Sequence, residues 1–396
     1  MKRLVPCLIS AFIILSNPFS VYAEGDSEEK TDTLGAVDVE RKVDANSIQK
    51  RLYSDDITVF ENDELDVDSS TFLTQINALE FRIKMDYNSE IKRFIDYFGV
   101  SWQERLKEVI TLSEYYFPIY ESILDKNGLP LEMKYISVIE SALNPYATSR
   151  SGAVGCWQFM PYTGKMYDLK IDRYVDERRD VPKATQAACE YFLDMSKKYD
   201  DWLVVIASYN CGPGNVNKAI ARSGGKTTFW EIYPYLPRQT QNYIPSFIAV
   251  AYLMNYYEEH NIFPKWVDTP MESTTAVSCT PTHNLQAIAE VLDLPIASIR
   301  TLNPALKTDE LPANMSLFNL NLPTDYAYRF IEHESVILAL SDSYKARVVE
   351  QTYTIKRGDC LGSIANRNGC SVQEIKQWNN LSSSTIHPGQ KLKLLL

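Results

Sequence analysis

The sequence predicts a mostly α-helical body followed by two small α+β units, on three observations. Between Ile76 and about Trp266, apolar residues recur at helical spacing in long amphipathic stretches parted by Gly- and Pro-marked loops, with few alternating strands. In the C-terminal third, Leu285, Ile288, Ala289, Ile299, Asn303 and Pro312 fall on Leu361, Ile364, Ala365, Ile375, Asn379 and Pro388 at a constant offset of 76, so a small unit occurs twice. At 396 residues, 45% hydrophobic and 23% charged, the chain can bury two or three cores.

Taken in order, Lys2 and Arg3 precede an apolar run from Leu4 to Leu15, and Val21-Tyr22-Ala23 offers small residues before Glu24. This predicts a secretory signal peptide over residues 1–23, with a retained short anchor as the alternative. Cys7 lies inside the apolar run, unlike a lipoprotein cysteine, and the mature chain is expected to carry no integral membrane segment. Residues 24–75 contain EGDSEEKTD and ENDELDVDSS and read as a flexible acidic leader. The formal charge of −11, or −13 without Lys2 and Arg3, shows no basic stripe and argues against nucleic acid as a partner.

Six cysteines remain beyond Cys7: Cys156, Cys189, Cys211, Cys279, Cys360 and Cys370. An exported chain could pair them in about 15 ways, and the sequence does not choose. Cys360 with Cys370 is disfavoured, because a helix between them would hold their Cα atoms roughly 15 Å apart. His260, His283, His333 and His387 are scattered and no CxxC or HExxH spacing occurs, so neither metal nor cofactor is expected.

Within the helical region, residues 76–266, one helix follows Gly128-Leu129-Pro130 and ends at Asn144-Pro145. Ile136, Ile139 and Leu143 share its apolar face, and Glu140 borders that face. The run VIESALNPYATSRSGAVGCWQFMP then places Ser149 nine positions after Glu140, and Gln158 nine after Ser149, in a glycine-bracketed polar loop. A lone protonatable acid beside a sugar-sized cleft suits glycosidase chemistry. A second helix spans about Lys183 to Lys197. A third follows Trp202 and runs into Ser208-Tyr209-Asn210, where Gly212-Pro213-Gly214 breaks it. Trp157 and Trp202 read as core rather than sugar platforms, and Pro245 should interrupt the helix that carries Tyr243.

The repeat divides the remainder into a degenerate unit at 275–325, a connector at 326–349 and a second unit at 350–396. Each copy reads as two short helices, and the second adds flanking strands at Thr352–Ile355 and Lys391–Leu395. The Arg357-Gly358-Asp359 turn occurs only in the second copy, with Pro281-Thr282-His283 in its place in the first.

The second copy, with its GDCL, IA, WNNL and PGQKL elements, resembles a LysM module, the βααβ unit that binds N-acetylglucosamine-containing glycans. The helical region resembles the lytic murein transglycosylases of the membrane-bound transglycosylase D type, with motif core 118–257. Four motifs carry that resemblance: Glu140-Ser141, Gly155-Cys156-Trp157-Gln158 where Gly-Leu-Met-Gln is commoner, Ser208-Tyr209-Asn210 for the usual Ala-Tyr-Asn, and Tyr243 in QNYIP. The resemblance implies a lysozyme-like fold with Glu140 as catalytic acid. Ser149 would orient the acid or the substrate acetamido group, and Gln158, Met160, Tyr209, Asn210 and Tyr243 would line the glycan cleft. It further implies a monomer acting on peptidoglycan glycan strands in the periplasm or cell envelope of a Gram-negative bacterium.

Glycoside cleavage needs a proton at a poor leaving oxygen, and partial burial against apolar neighbours readies a carboxylic acid for that task. A hydrolase adds a second carboxylate, about 5–5.5 Å away when retaining and roughly 6.5–9.5 Å when inverting. Asp172, Asp176, Glu177 and Asp180 are candidates, but Arg173, Arg178 and Arg179 among them suggest a structural ion-pair loop. With a single acid, the 6-hydroxyl of N-acetylmuramic acid closes on its own anomeric carbon. The alternatives are a muramidase using an acid such as Asp180, a non-catalytic glycan-binding protein, and a cysteine peptidase built on Cys211.

Overall fold

The computed structural model describes residues 65–267, 273–311, 315–345, 350–368, 370 and 372–395. The expected signal peptide and most of the expected leader lie outside the described residues.

The helical body begins earlier than residue 76. Helix α1, Ser69–Ala78, is capped by Asp68, whose carboxylate accepts the Thr71 N–H, and it buries Phe72 and Ile76 one turn apart in the main core. The acidic neighbourhood hid this spacing, so the tail of the expected flexible leader is a packed helix. Asn88 caps α2, Ser89–Asp96, which turns through a π-helical step at Tyr97–Ser101 into the long α3, Gln103–Lys126. A 3₁₀ turn at Leu131–Lys134 leads into α4, Tyr135–Ser141, all seven residues of which are buried. The short α5, Pro161–Met166, is followed by α6, Val181–Ser196, with Asp180 as its cap. Then come α7, Trp202–Cys211, capped by Asp201, and α8, Pro213–Arg222. Gly212, at φ +79°, makes the corner between these two, a conformation that glycine adopts without a Cβ penalty.

After α9, Phe229–Ile232, the body closes on α10, Arg238–Tyr256. Every residue of α10 from Asn242 to Met254 is buried, because α2, α4 and α7 pack around it. It runs unbroken through Pro245, contrary to the expected interruption. Proline removes one N–H from the ladder, and a helix surrounded by packed neighbours tolerates that loss.

The two C-terminal units have separate cores. In the first, β1, Thr274–Cys279, pairs antiparallel with β2, Phe318–Pro323, in a register that sets Val277 opposite Leu320. This unit therefore has the flanking strands that the sequence assigned only to the second copy; β1 buries just Val277 and Cys279, too short an alternation to read. Helices α11, Leu285–Leu292, and α12, Ile296–Leu302, lie between the strands in sequence. The expected connector is helix α13, Thr324–Lys345, whose Ala327, Phe330 and Ile337 belong to this core.

The second unit is β3, Glu350–Thr354, α14, Leu361–Arg367, α15, Val372–Trp378, and β4, Lys391–Leu395, with Tyr353 opposite Leu392. The repeat is physical as well as textual. Asn303 Nδ2 donates to Ile299 O at 2.7 Å and Asn321 O at 2.8 Å, while its Oδ1 accepts the Asn321 N–H at 2.8 Å. Asn379 repeats this with Ile375 O at 2.8 Å, Lys393 O at 2.8 Å and the Lys393 N–H at 2.7 Å. In both units one amide side chain staples the second helix to the closing strand.

Asp359 organises the turn unique to the second unit. Its carboxylate accepts the Lys356 N–H at 2.8 Å, the Tyr353 hydroxyl at 2.9 Å and the Arg367 guanidinium at 2.5 Å. The Lys356 N–H first, and then Arg367, hold its pKa down at about 2. A depressed carboxylate stabilises the fold above its unfolded pKa, near 3.9, and that contribution disappears as pH falls through the folded value. Thermal melts of the full chain should therefore show the C-terminal unit weakening between about pH 4 and pH 2, and Asp359→Asn should remove most of that pH dependence.

Candidate active site

Glu140 sits on the last turn of α4 with 7% of its surface exposed. The turn is closed by two successive non-glycine residues in the left-handed region, Ala142 at φ +52° and Leu143 at φ +62°. That conformation costs of order 1–3 kcal/mol per residue and persists only where surroundings over-determine it. Both side chains are fully buried. The strained corner sends the chain directly from the acid into the loop at 147–159.

Tyr243 reaches Glu140 from α10, donating its hydroxyl to Oε1 at 2.5 Å across 103 residues of sequence. Tyr209, on α7, is also near: burial first, and then the negative charge of Glu140, push its phenol well above the ordinary tyrosine value. Its hydroxyl therefore stays protonated, and it donates to Trp157 O at 2.6 Å. The next residue, Asn210, accepts the Thr240 hydroxyl at 2.8 Å, which ties α7 to the start of α10.

The loop at 147–159 starts at the surface, with Thr148, Arg150 and Ser151 exposed, and is buried from Ala153 to Phe159, where its polar backbone needs internal partners. Ser141 Oγ lies 3.0 Å from Cys156 O, and Tyr209 holds Trp157 O. Gln158, itself at φ +50°, donates from Nε2 to Gly155 O at 2.9 Å and Ala147 O at 3.2 Å. Its Oε1 is buried and has no hydrogen-bond partner among the described residues. Ser149 Oγ accepts the Ala153 N–H at 3.0 Å and lies 3.0 Å from Ser151 Oγ. These bonds make Ser149 a staple of the 149–153 turn. Met160 is 40% exposed at the head of α5, and Tyr162 and Met166, an i,i+4 pair that the sequence reading passed over, are exposed beside it.

The acidic-basic loop proves to be a brace. Arg178 is buried and grips Asp176 through two bonds, from Nε at 2.8 Å and Nη2 at 2.7 Å. Its Nη1 donates to Gly152 O at 2.8 Å and Phe159 O at 3.0 Å, spanning both sides of the loop. Gly155 is needed at the contact, since a Cβ there would lie 1.8 Å from Arg178 O. The other acids of this stretch are engaged too: Asp172 accepts the Tyr174 and Val175 N–H groups, Glu177 accepts from Lys170 N and Lys183 Nζ, and Asp180 accepts Lys183 N. Burial raises the Asp180 pKa against the opposing Lys183 N–H bond.

The departures from the commoner motif residues are absorbed by packing. Trp157 is fully buried, donates its indole N–H to Thr185 Oγ1 at 2.9 Å and meets Tyr120 edge-on. Burial pushes the Cys156 thiol up to about 12. Ser208 donates to Val205 O within its own helix at 2.7 Å. Burial also raises the Cys211 pKa, which disfavours the thiolate a peptidase would need. All six described cysteines are unpaired.

Residues 118–231 match the family described as transglycosylase SLT domain, 273–338 the family described as lytic transglycosylase MltD, LysM-like domain, and 353–394 the LysM domain family. The chain is 30% identical over 302 residues to the membrane-bound lytic murein transglycosylase D of Escherichia coli K12, a match covering 73% of this chain and 65% of that protein's length. A putative tributyltin chloride resistance protein of an Alteromonas species is 36% identical over 104 residues, covering 26% of this chain and 50% of the relative. Among solved structures, the 70 kDa soluble lytic transglycosylase of Escherichia coli superposes with a TM-score of 0.32 at 21% identity, covering 44% of this chain and 31% of that one.

Removing the Arg178 side chain would leave the buried Asp176 carboxylate without its cation and take one donor each from Gly152 O and Phe159 O, the latter keeping the Val154 N–H. Arg178→Ala should destabilise the body by about 3–5 kcal/mol, visible as a Tm drop on the order of 10 °C. Arg178→Lys, which keeps the charge but loses the fork, should recover less than half of that loss.

Proposed function

We propose that the chain is a peptidoglycan lytic transglycosylase. It cleaves the β-1,4 bond between N-acetylmuramic acid and N-acetylglucosamine and leaves a 1,6-anhydro end. The observation that carries this reading is the 2.5 Å bond from Tyr243 to a buried Glu140, and the acids of the 172–180 stretch serve structural bonds instead. With Oε1 held as an acceptor, the acidic proton sits on Oε2 and passes to the glycosidic oxygen as the C1–O bond breaks. The resulting carboxylate is stabilised by the Tyr243 O–H. It then removes the proton from the 6-hydroxyl of the muramyl ring, and that oxygen bonds to C1. The proton returns to Glu140 and no water is consumed. Gln158 would line the cleft from the 147–159 loop. Ser149, Met160, Tyr209 and Asn210 complete the cleft lining, with the hydroxyl of Ser149 acting through the 149–153 turn.

The LysM unit at 353–394 would hold the enzyme on its polymer, and the MltD-type LysM-like unit is consistent with the same substrate. The apolar run behind Lys2 and Arg3 supports export to a Gram-negative envelope. The enzyme would act there as a monomer without metal or cofactor. Among the described residues no helix is long and apolar enough to cross a membrane.

Glu140→Gln should abolish release of muropeptides from purified sacculi while sacculus binding stays within about twofold. Normal release by that variant would refute the site. In ¹⁸O-labelled water the wild-type products should carry no label and resist borohydride. Labelled, reducible ends would instead favour a muramidase, with Asp180 as the first acid to replace. Deleting residues 351–396 should weaken sacculus binding by at least about tenfold, as expected for loss of a tethered module, with turnover of a short soluble glycan preserved.

A further inference from the structure

The first LysM-like unit meets the body at the brace. Residues 171–176 form a minimal hairpin, with Ile171 bridged to Asp176 and Asp172 N–H donating to Val175 O at 2.9 Å. A two-stranded hairpin is marginal alone in water. Its outer edge is filled by the segment that follows α12: Val175 bridges Leu306, the Asp176 N–H donates to Ala305 O at 2.8 Å, and the Lys307 N–H donates to Tyr174 O at 2.8 Å. Lys307 Nζ adds a bond to Asp172 O at 2.7 Å. A second strut lies six residues after Glu140, where the Tyr146 hydroxyl donates to Arg300 O at 2.7 Å under the Arg179 guanidinium.

The seam therefore reaches both ends of the site's scaffold. Asp176, whose backbone is bound by Ala305, is the residue whose carboxylate grips Arg178, and Arg178 holds Gly152 O and Phe159 O. A group bound through main-chain bonds moves with its partner, unlike one held by a flexible side chain.

We propose that the first LysM-like unit is a positioning element of the active site: its segment 300–307 fixes the hairpin at 171–176 and, through Arg178, fixes the 149–159 loop beside Glu140. The positioning group is the Lys307 backbone N–H together with its ammonium. The kinetic part of this inference rests on the transglycosylase reading, whereas its structural part does not.

Lys307→Pro in the full chain removes both donors and leaves the residues of the body unchanged; Leu306 before it sits in a β-bridge to Val175, the kind of backbone that precedes proline. Amide hydrogen exchange at Val154 and Phe159 should accelerate by about tenfold or more, while Val205 and Ile206 in α7 keep their protection. On a soluble tetrasaccharide of alternating N-acetylglucosamine and N-acetylmuramic acid, kcat should fall about tenfold or more with KM within about twofold. Lys307→Ala, which keeps the N–H, should lie nearer wild type on both readouts. Unchanged exchange with unchanged kcat overturns the proposal, as does a raised KM with kcat intact, which would make the unit a binding surface. Should Lys307→Pro expose Val277 and Leu320 to exchange, signifying an unfolded unit, Tyr146→Phe, which removes the second strut to Arg300 O, decides by the same two readouts: faster loop exchange with lower kcat upholds the proposal and no change in either overturns it. Accelerated loop exchange in a chain whose Glu140→Gln form still cleaves would retain the positioning and reject the transglycosylase assignment.

Discussion

The molecule depends on keeping a loop inside a protein. The segment from Ala147 to Phe159 is neither helix nor strand and pairs only part of its backbone with itself, as between Val154 and Phe159 and from the Gly155 N–H to Ala147 O, and each buried carbonyl left unpaired there would cost about 1–3 kcal/mol. The partners come from every side: Ser141 at the end of α4, Tyr209 on α7, Arg178 from the brace and Gln158 from the loop itself. The bonds that fold the loop also set the geometry of the site. Tyr209 is an example, since its hydroxyl supports Trp157 while its ring packs edge-on against Phe159 within reach of the Glu140 charge.

This requirement explains where strain is stored. Ala142 and Leu143 occupy left-handed backbone without being glycine, immediately after the acid. Relaxing either would swing the chain away from Ser141 and Arg178 and expose Leu143, which is completely buried. Burial and the Tyr243 hydroxyl meet at the Glu140 carboxyl, so the helix α10 that carries Tyr243 is tied to the end of α4 at this point.

The sequence revealed what depends on local pattern and missed what depends on distant partners. The repeat was legible because Leu285, Ile288 and Ile299 and their counterparts Leu361, Ile364 and Ile375 are all core positions, where substitution is felt. Asn303 and Asn379 matched by identity, but their stapling of helix to strand needed coordinates. Helix α1 was concealed by acidic residues that dominate composition, although Asp68, Phe72 and Ile76 spell a cap and one apolar turn. The α13 segment looked like a linker because only Ala327, Phe330, Ile337 and Ser341 face inward along a mostly exposed helix. The hydrogen-bonded pair Glu140 and Tyr243 was named through motifs alone, since no periodicity relates residues 103 apart. The DRYVDERRD stretch read correctly as an ion-pair loop, but nothing local could say that Arg178 reaches Gly152 and Phe159.

The two C-terminal units differ in how they are joined to the body, and the difference separates their roles. The first is attached by main-chain bonds at Ala305 and Lys307, whose geometry is fixed by the chain itself. The second meets the body through the ion pair of Arg173 with Glu374, two long side chains each about a quarter exposed. A partly exposed pair of this kind is worth on the order of 1 kcal/mol or less and weakens with salt. That is enough to bias an orientation and too little to enforce one. The degenerate copy has thus given up the Arg357-Gly358-Asp359 turn of its twin while keeping the stapled βααβ core, as a structural part would.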